Sequence, residues 1–413
     1  MKRTLFFLAY IASCLVAIGK SHIISPNVKT LQVVVNQQWM SMPILTLGSD
    51  DVLNVGFDEL SHTYHRYIVH LEHCNPDWSP TESLFENDWL EGFNNWPIEE
   101  YENSLNTTVL YTHYTLQIPN EQCKLKISGN YRLHILDEDD NNKEVAVAEF
   151  RVIEPLMSVN LEMTTNTDLG LNNKYQQINM VVGFNNVRVT NFRDQIQTYV
   201  LQNGREDNMK DLVDPNYVNT RELRWEHNLR LIFDAGNEYH KFEILDPTHP
   251  TMGIEHMVWN EEERRYHAYP FQSEPRRNYL YDEDANGAFY IRNSNNWEND
   301  RISDYVYVHY KIGPSQQYDS QVIVNGNWTT EEQENYIMEF DEKDRSYNAT
   351  ILQKQGYYNY QFLLLDYDGI THQMPEEGSF FQTNNLYQAL VYFKGNSDRS
   401  WRLVGFKEIG TER

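Results

Sequence analysis

Hydrophobic and polar residues alternate along most of this chain with a period of two, the spacing that places side chains on one face of a strand. The alternation recurs between short segments of turn-forming residues, as it does in β-sandwiches. Helical spacing is uncommon by comparison. The pattern predicts an all-β protein with strands that include Leu31–Val35, Tyr67–Leu71, Leu110–Ile118, Tyr131–Ile135, Ala146–Val152, Ile178–Val182, Leu229–Phe233, Tyr305–His309, Val322–Val324 and Tyr358–Leu364.

The predicted strands fall into three groups, which indicate a row of three sandwich-like units of the immunoglobulin or fibronectin kind. The first group ends at Glu154 and Pro155, where a strand stops. We see neither an internal repeat nor a low-complexity linker, so the units are expected to pack rigidly together. The predicted units are an N-terminal β-sandwich at 21–154, a middle sandwich-like domain at 155–300 and a C-terminal sandwich of early-set or carbohydrate-module type at 301–413.

The first 20 residues have the composition of a secretory signal peptide. Lys2 and Arg3 precede an apolar run from Leu5 to Ile18 that ends in small residues, and this order is typical of exported proteins. A less favoured alternative is a lipoprotein with its lipid on Cys14. No later apolar run approaches the roughly 20 residues of a membrane span, so membrane contact is expected only through a partner.

Charge and cysteine content narrow the classes of partner. The chain carries 60 Asp and Glu against 34 Lys and Arg, a formal net charge of −26, which argues against binding to nucleic acid or to anionic lipid. Cys74 and Cys123 remain after removal of the signal peptide. An exported compartment permits a disulfide, but their positions leave open whether they pair or stay independent.

Residues that could support catalysis or metal binding do not form a recognisable site. The densest group is His62, His65, His70, His73 and Cys74, but it lacks a metal-binding motif, and His70 and His73 point to opposite faces of a strand. The run 282–287 resembles half of an EF-hand loop without its final Glu, and a turn at 286–287 is the favoured interpretation. We therefore predict no enzyme activity, no catalytic residues, no metal and no cofactor.

The segment from Trp78 to Tyr101 is unusually rich in aromatic and acidic residues, and two interpretations of it remain open. It either closes one end of its sandwich or forms a surface for docking another protein. A Ser79-Pro80 pair followed by Glu82 predicts a helix start there. The candidate partner-binding residues are Trp78, Phe85, Trp89, Phe93 and Trp96.

A second group of aromatics suggests a different function. Trp328 follows a predicted strand and turn, and Tyr357, Tyr358 and Tyr360 lie close together in the sequence. Exposed flat rings stack on sugars, so a periplasmic carbohydrate-binding protein is the alternative to a protein-binding function.

Short motifs are distributed along nearly the whole predicted mature chain: His73–Trp78, Glu91–Phe93, Ser104–Thr107, Tyr111–Tyr114, Pro119–Asn120, Ser128–Tyr131, Gly236–Tyr239, Asn286–Tyr290, Asp304–Val306, Leu352–Tyr360 and Thr383–Tyr387. Together these motifs resemble the plug protein family of the type IX secretion system. That resemblance implies a non-enzymatic periplasmic protein at the inner face of the outer membrane. Its partner would be the outer-membrane β-barrel translocon of the type IX system, whose periplasmic opening it would seal when no cargo is in transit.

Overall fold

The computed structural model describes residues 20–410, and the predicted signal peptide and Cys14 lie outside that range apart from Lys20. The described chain is about 48% strand and 5% helix, which confirms the predicted all-β class. Within 20–410, no helix has both the length and the apolar composition needed to cross a bilayer. The short helices are α1 (Glu86–Trp89), α2 (Phe192–Gln195) and α3 (Asn299–Ile302), with 3-10 turns at Leu229–Leu231 and Gln333–Tyr336.

The N-terminal unit is a sandwich of two sheets. One has the order β2-β4-β9-β8, and the other contains β12-β11-β5-β7 with β1 and β3 also paired to β12. Alternate side chains of both sheets meet in one buried cluster that includes Phe57, Leu71 and Phe150. The strands are β1 (His22–Ile23), β2 (Val28–Val35), β3 (Ile44–Thr46), β4 (Leu53–Glu59), β5 (Tyr67–Cys74), β6 (Leu90–Gly92), β7 (Trp96–Pro97), β8 (Glu100–Asn103), β9 (Thr112–Ile118), β10 (Cys123–Leu125), β11 (Gly129–Asp137) and β12 (Lys143–Ile153).

The middle unit is assembled from two distant parts of the chain. Its first part supplies a sheet with the order β13-β16-β20-β19. The final two strands then pair beside β17, with Ile196 opposite Phe393. The strands are β13 (Ser158–Thr164), β14 (Asn166–Thr167), β15 (Gly170–Leu171), β16 (Tyr175–Gly183), β17 (Ile196–Gln202), β18 (Arg205–Asp211), β19 (Tyr217–Val218), β20 (Glu222–Trp225), β21 (Ile232–Asp234), and from the C-terminal end β32 (Leu386–Phe393) and β33 (Arg402–Gly410).

The C-terminal unit is one ten-stranded sheet around a core of aromatic and aliphatic side chains that includes Phe242, Tyr310 and Phe362. Along the sheet the order is β22-β30-β27-β28-β29-β26-β24-β23, with β25 and β31 also paired to β30. The strands are β22 (His240–Glu243), β23 (Ile254–Asn260), β24 (Arg265–Pro270), β25 (Phe289–Ile291), β26 (Tyr305–Ile312), β27 (Gln321–Asn325), β28 (Ile337–Asp341), β29 (Ser346–Lys354), β30 (Gly356–Leu365) and β31 (Thr371–Gln373).

The buried cores do not divide at the predicted domain boundary between residues 300 and 301. Phe242 and Ile254 belong to the core of the C-terminal unit, whereas Tyr387 and Val404 belong to the core of the middle unit. The difference arises because strand pairing joins segments that are remote in the sequence. We propose that the middle unit comprises about 155–235 and 383–410, and that the C-terminal unit lies between these two segments. The predicted limit at 154 falls just after β12.

A buried ion pair joins the N-terminal and C-terminal units. Lys354 Nζ donates to Asp58 Oδ2 at 2.6 Å, and both side chains have no solvent exposure. The Tyr305 hydroxyl donates to the same oxygen at 2.6 Å, while His113 Nδ1 hydrogen-bonds to Asp58 Oδ1 at 2.6 Å. Lys354 also lies 4.2 Å from the centre of the Tyr111 ring. These partners offset the cost of removing two charges from water.

We expect Lys354→Met to destabilise the protein by about 3–5 kcal/mol, because it leaves Asp58 as an uncompensated buried charge. Lys311→Met is a matched control, since Lys311 pairs with Asp344 where both side chains are partly exposed. Such exposed pairs contribute about 0–1 kcal/mol. Urea denaturation measures the free energy of unfolding of each variant. An equal loss in both variants would contradict this expectation.

The Asp58–Lys354 pair also makes the stability of the protein depend on pH. Burial alone would raise the pKa of Asp58, but Lys354 and His113 hold it below its ordinary value of 3.8. A lowered carboxyl pKa stabilises the fold above the unfolded value, and this stability is lost as the pH falls through the folded value. The stability difference between wild type and Lys354→Met should therefore be larger at pH 7 than below pH 4. Denaturation curves at both pH values test this, and a difference that grows on acidification would contradict it.

Candidate partner-binding surface

The structure separates the five aromatic residues that the sequence groups together. Trp78, Trp89 and Trp96 are 3%, 7% and 5% exposed, whereas Phe85 and Phe93 are 74% and 75% exposed. All five lie in the connection between β5 and β9, but they do not form one surface. Of the five, only the two phenylalanines present most of their ring area to a partner.

Trp78 lies at the junction between the N-terminal and middle units. Its indole Nε1 donates to Glu206 Oε2 at 3.3 Å, and the Arg151 guanidinium lies 4.8 Å from the ring centre. Arg151 in turn forms a buried ion pair with Glu206. The side chain of Trp78 therefore contacts another part of this chain, and the structure gives it a role in joining units.

Trp89 and Trp96 are part of the N-terminal core. Trp89 packs edge-on against Tyr131 with ring centres 5.9 Å apart, and Trp96 pairs with Val69 along β5. Trp96 and Ile98 are buried on either side of Pro97. This spacing of two residues could have indicated their burial from the sequence.

The helix predicted from Ser79 is not formed. Pro80 instead bridges to Cys74 beside β5, and Asp77 Oδ1 accepts hydrogen bonds from the backbone and hydroxyl of Ser79. These local bonds favour a turn over a helix start. The helix begins only at Glu86.

Phe85 and Phe93 lie at the two ends of the short unit formed by α1 and β6. Phe93 follows Gly92, whose φ is +113° and where a Cβ atom would lie 1.9 Å from the Gln122 carbonyl oxygen. Only glycine permits this close approach. Asn94 Nδ2 donates to Glu86 Oε2 at 3.0 Å, so the neighbours of the two phenylalanines are bonded to each other.

We call the exposed residues Phe85, Glu86, Glu91 and Phe93 the Phe85–Phe93 surface. Beside it, Asp88 Oδ2 accepts the backbone N–H of Phe85 at 2.7 Å. This bond, followed by an ion pair with Arg399 of the middle unit, lowers the pKa of Asp88 below its ordinary value of 3.8. The surface combines two apolar rings with acidic side chains, the composition of a protein-docking patch with a polar rim.

The residues weighed as metal ligands are dispersed over the N-terminal unit. His73 hydrogen-bonds to Thr81, and burial lowers its pKa to about 4. His70 hydrogen-bonds to Asn95. Among the described residues, His65 is the member of this group that belongs to a cluster of three possible ligands, with Asp137 and Asp139, whose ligand atoms lie within 4.8 Å of one another.

Cys74 and Cys123 are both buried and unpaired. Burial raises the pKa of Cys123 to about 12, and the Cys74 pKa is also raised, first by burial and then by Glu72. The two thiols therefore act as small core side chains in this structure.

The turn predicted at Asn286 and Gly287 is formed, with φ values of +51° and +89°. Its flanking residues do not pair with each other as in a hairpin, because β25 pairs with β30 instead. Asp284 accepts backbone N–H groups of Asn286 and Tyr239, and its carboxylate therefore fixes the loop.

The aromatics that suggested sugar binding are mostly buried. Trp328 is 7% exposed, and Tyr358 and Tyr360 are 3% and 4% exposed. All three belong to the core of the C-terminal unit, and the Trp328 indole N–H donates to the Asn359 carbonyl at 2.8 Å. These rings have no free face for stacking on a sugar.

Known proteins give two informative comparisons. Residues 28–154 match the family model of the type 9 secretion system plug protein 1st domain. The crystal structure of a hypothetical protein from Parabacteroides merdae ATCC 43184 superimposes with a TM-score of 0.90 at 30% identity, covering 95% of this chain and 99% of that chain. No curated protein matches.

Trypsin-activated alpha-2-macroglobulin from Escherichia coli aligns over 92% of this chain and 23% of its own at 10% identity, with a TM-score of only 0.16.

Truncation should distinguish the buried from the exposed aromatics. We expect Trp89→Ala to cost about 3–5 kcal/mol of stability, as large-to-small changes in a core do. Phe85→Ala and Phe93→Ala should each change it by roughly 0.5 kcal/mol or less, since surface substitutions seldom do more. Urea denaturation of the three variants measures this, and equal losses would show that the phenylalanines also belong to the core.

Proposed function

Because the chain belongs to the family of type IX secretion system plug proteins, we propose that it binds and closes the periplasmic opening of the outer-membrane translocon when no cargo is in transit. The protein then acts in the periplasm, at the inner face of the outer membrane, by occupying space and without catalysis or a cofactor. The observation that carries the proposal is the family match over 28–154.

Rigid connection of the units supports this function. The Asp58–Lys354 pair joins the N-terminal to the C-terminal unit, and the Arg151–Glu206 pair joins it to the middle unit. The Tyr392 hydroxyl also donates to Asn130 across the second junction at 2.6 Å. A body that is already ordered loses little conformational entropy on docking, which suits a plug that must bind and leave repeatedly.

The Phe85–Phe93 surface is our candidate for the translocon contact. It lies in the unit that matches the family model, and its two rings are among the most exposed large apolar side chains of the described residues. Interface aromatics commonly carry a large share of binding energy. The C-terminal unit also exposes Tyr367, which is 93% accessible on a turn and provides a control in a different unit.

Charging the two rings should release the protein from the translocon. We expect Phe85→Asp with Phe93→Asp to lower affinity at least 100-fold, since hot-spot aromatics are each worth about 2 kcal/mol or more. Tyr367→Asp should bind as wild type does. Recovery of the translocon barrel with each tagged variant from solubilised outer membranes is the measurement, with melting temperatures as a folding check. Equal recovery with both variants would place the contact elsewhere.

Removing the gene should increase permeability of the outer membrane to compounds that it normally excludes, because a conduit wide enough for a folded protein would stay open. Uptake of a large dye is compared in the single deletion and in a double deletion that also lacks the translocon. The proposal expects high uptake only in the single deletion. Unchanged uptake in the single deletion, or equal uptake in both strains, would contradict the closing function.

A further inference from the structure

One histidine and two aspartates from separate segments converge in the N-terminal unit. His65 lies in the connection between β4 and β5, whereas Asp137 ends β11 and Asp139 lies in the turn that follows. Antiparallel pairing places Asp137 opposite Tyr67, two residues after His65. One possible ligand atom from each of the three side chains lies within 4.8 Å of the other two. The fold therefore groups an imidazole with two carboxylates that are remote from it in the sequence.

The three side chains are anchored through atoms other than those that can meet at one point. Asp139 Oδ2 accepts the backbone N–H of Arg66 at 3.0 Å, and Asp137 Oδ1 accepts the backbone N–H of Asp139 at 3.0 Å. His65 Nε2 hydrogen-bonds to Ser61 Oγ at 3.2 Å. Metal-binding side chains are commonly oriented by such bonds to their outer atoms.

The hydrogen bonds of Ser61 determine which nitrogen of His65 carries the proton. The Ser61 hydroxyl donates to Glu59 Oε2, so its oxygen accepts the N–H of His65 Nε2. The neutral ring then has a lone pair at Nδ1. This nitrogen is 3.7 Å from Asp137 Oδ2, a separation too long for a hydrogen bond. Two acceptors therefore lie close together with no donor between them, an arrangement that a bound cation stabilises.

No basic side chain compensates the two carboxylates of the cluster. Arg66 Nε pairs with Glu138 at 2.6 Å, and Lys143 Nζ lies 4.0 Å from Asp140 Oδ2. Within residues 20–410, no Lys or Arg forms an ion pair with either carboxylate of the cluster. Like charges held close together disfavour each other, and a cation between them removes that repulsion.

The distances and the ligand types suit a transition-metal ion. Because Zn²⁺ binds imidazole nitrogen and carboxylate oxygen at about 2.0–2.2 Å, two ligand atoms on one ion are at most roughly 4 Å apart. The 3.7 Å between His65 Nδ1 and Asp137 Oδ2 satisfies this limit, and Asp139 is exposed, with room to adjust. The imidazole favours Zn²⁺ over Ca²⁺ and Mg²⁺, which prefer oxygen ligands.

We propose that His65, Asp137 and Asp139 bind a divalent transition-metal ion of the zinc type, with water in the fourth position. The ion ties the β4–β5 connection to the turn after β11. This differs from the sequence-based expectation of no metal, because the histidine group weighed there did not include the two aspartates. The inference is independent of the translocon contact, since the cluster shares no residue with the Phe85–Phe93 surface.

The test uses the full chain without an affinity tag, stripped with EDTA and titrated with ZnCl₂ by isothermal calorimetry. We expect saturable binding of one ion per chain that excess Ca²⁺ or Mg²⁺ does not displace. His65→Gln and Asp139→Asn should each lower the affinity at least about tenfold, since even the partners of metal ligands are worth that much. Asp140→Asn changes the same turn outside the cluster and should bind as wild type does.

A second measurement uses wild-type protein alone, so it decides even if a variant misfolds. Diethyl pyrocarbonate modifies accessible imidazoles, and the His65 side chain is 31% exposed. Zn²⁺ should protect His65 and leave modification of His256, which is 52% exposed, unchanged. Peptide mass spectrometry measures both. The proposal is overturned if Zn²⁺ does not bind saturably, if Asp140→Asn weakens binding as much as Asp139→Asn, or if Zn²⁺ does not protect His65.

Discussion

The arrangement of this protein depends on the buried ion pair between Asp58 and Lys354. Two charges without any solvent contact are tolerated only with nearly complete compensation, and the compensation comes from both units at once. His113 belongs to the N-terminal unit and Tyr305 to the C-terminal unit. Any relative displacement of the two units would break several of these bonds, so the pair fixes one orientation of the units.

The junction between the N-terminal and middle units is held by an ion pair and by pairing between strands. The Arg151–Glu206 pair lies beneath the Trp78 ring, which excludes water from it. Ile153 of β12 pairs with Leu403 of β33, so a single sheet continues from the N-terminal unit into the middle unit. The N-terminal unit therefore contacts both of the other units, through a buried ion pair in each case.

Local patterns in the sequence predicted the local structure well and the long-range structure poorly. Period-two alternation identified strands such as Tyr67–Leu71, because it records which side chains face a core. It did not indicate that β32 and β33 return to the middle unit, since pairing between remote segments leaves no local signal. Among the insertion aromatics, composition alone could not separate the buried Trp89 from the exposed Phe93. The two side chains differ in whether they face the sandwich. Gly92 and the short helix α1 set these orientations.

The return of the last two strands to the middle unit has a consequence for biogenesis. Ile196 on β17 cannot find its partner Phe393 until almost the entire chain has been synthesised. Domains whose strands are contiguous can fold one after another as they emerge, whereas this one must wait with an open sheet edge and an incomplete core. The edge of β17 that β32 later covers therefore stays open while residues 203–385 are added, and an open strand edge is prone to pair with other chains.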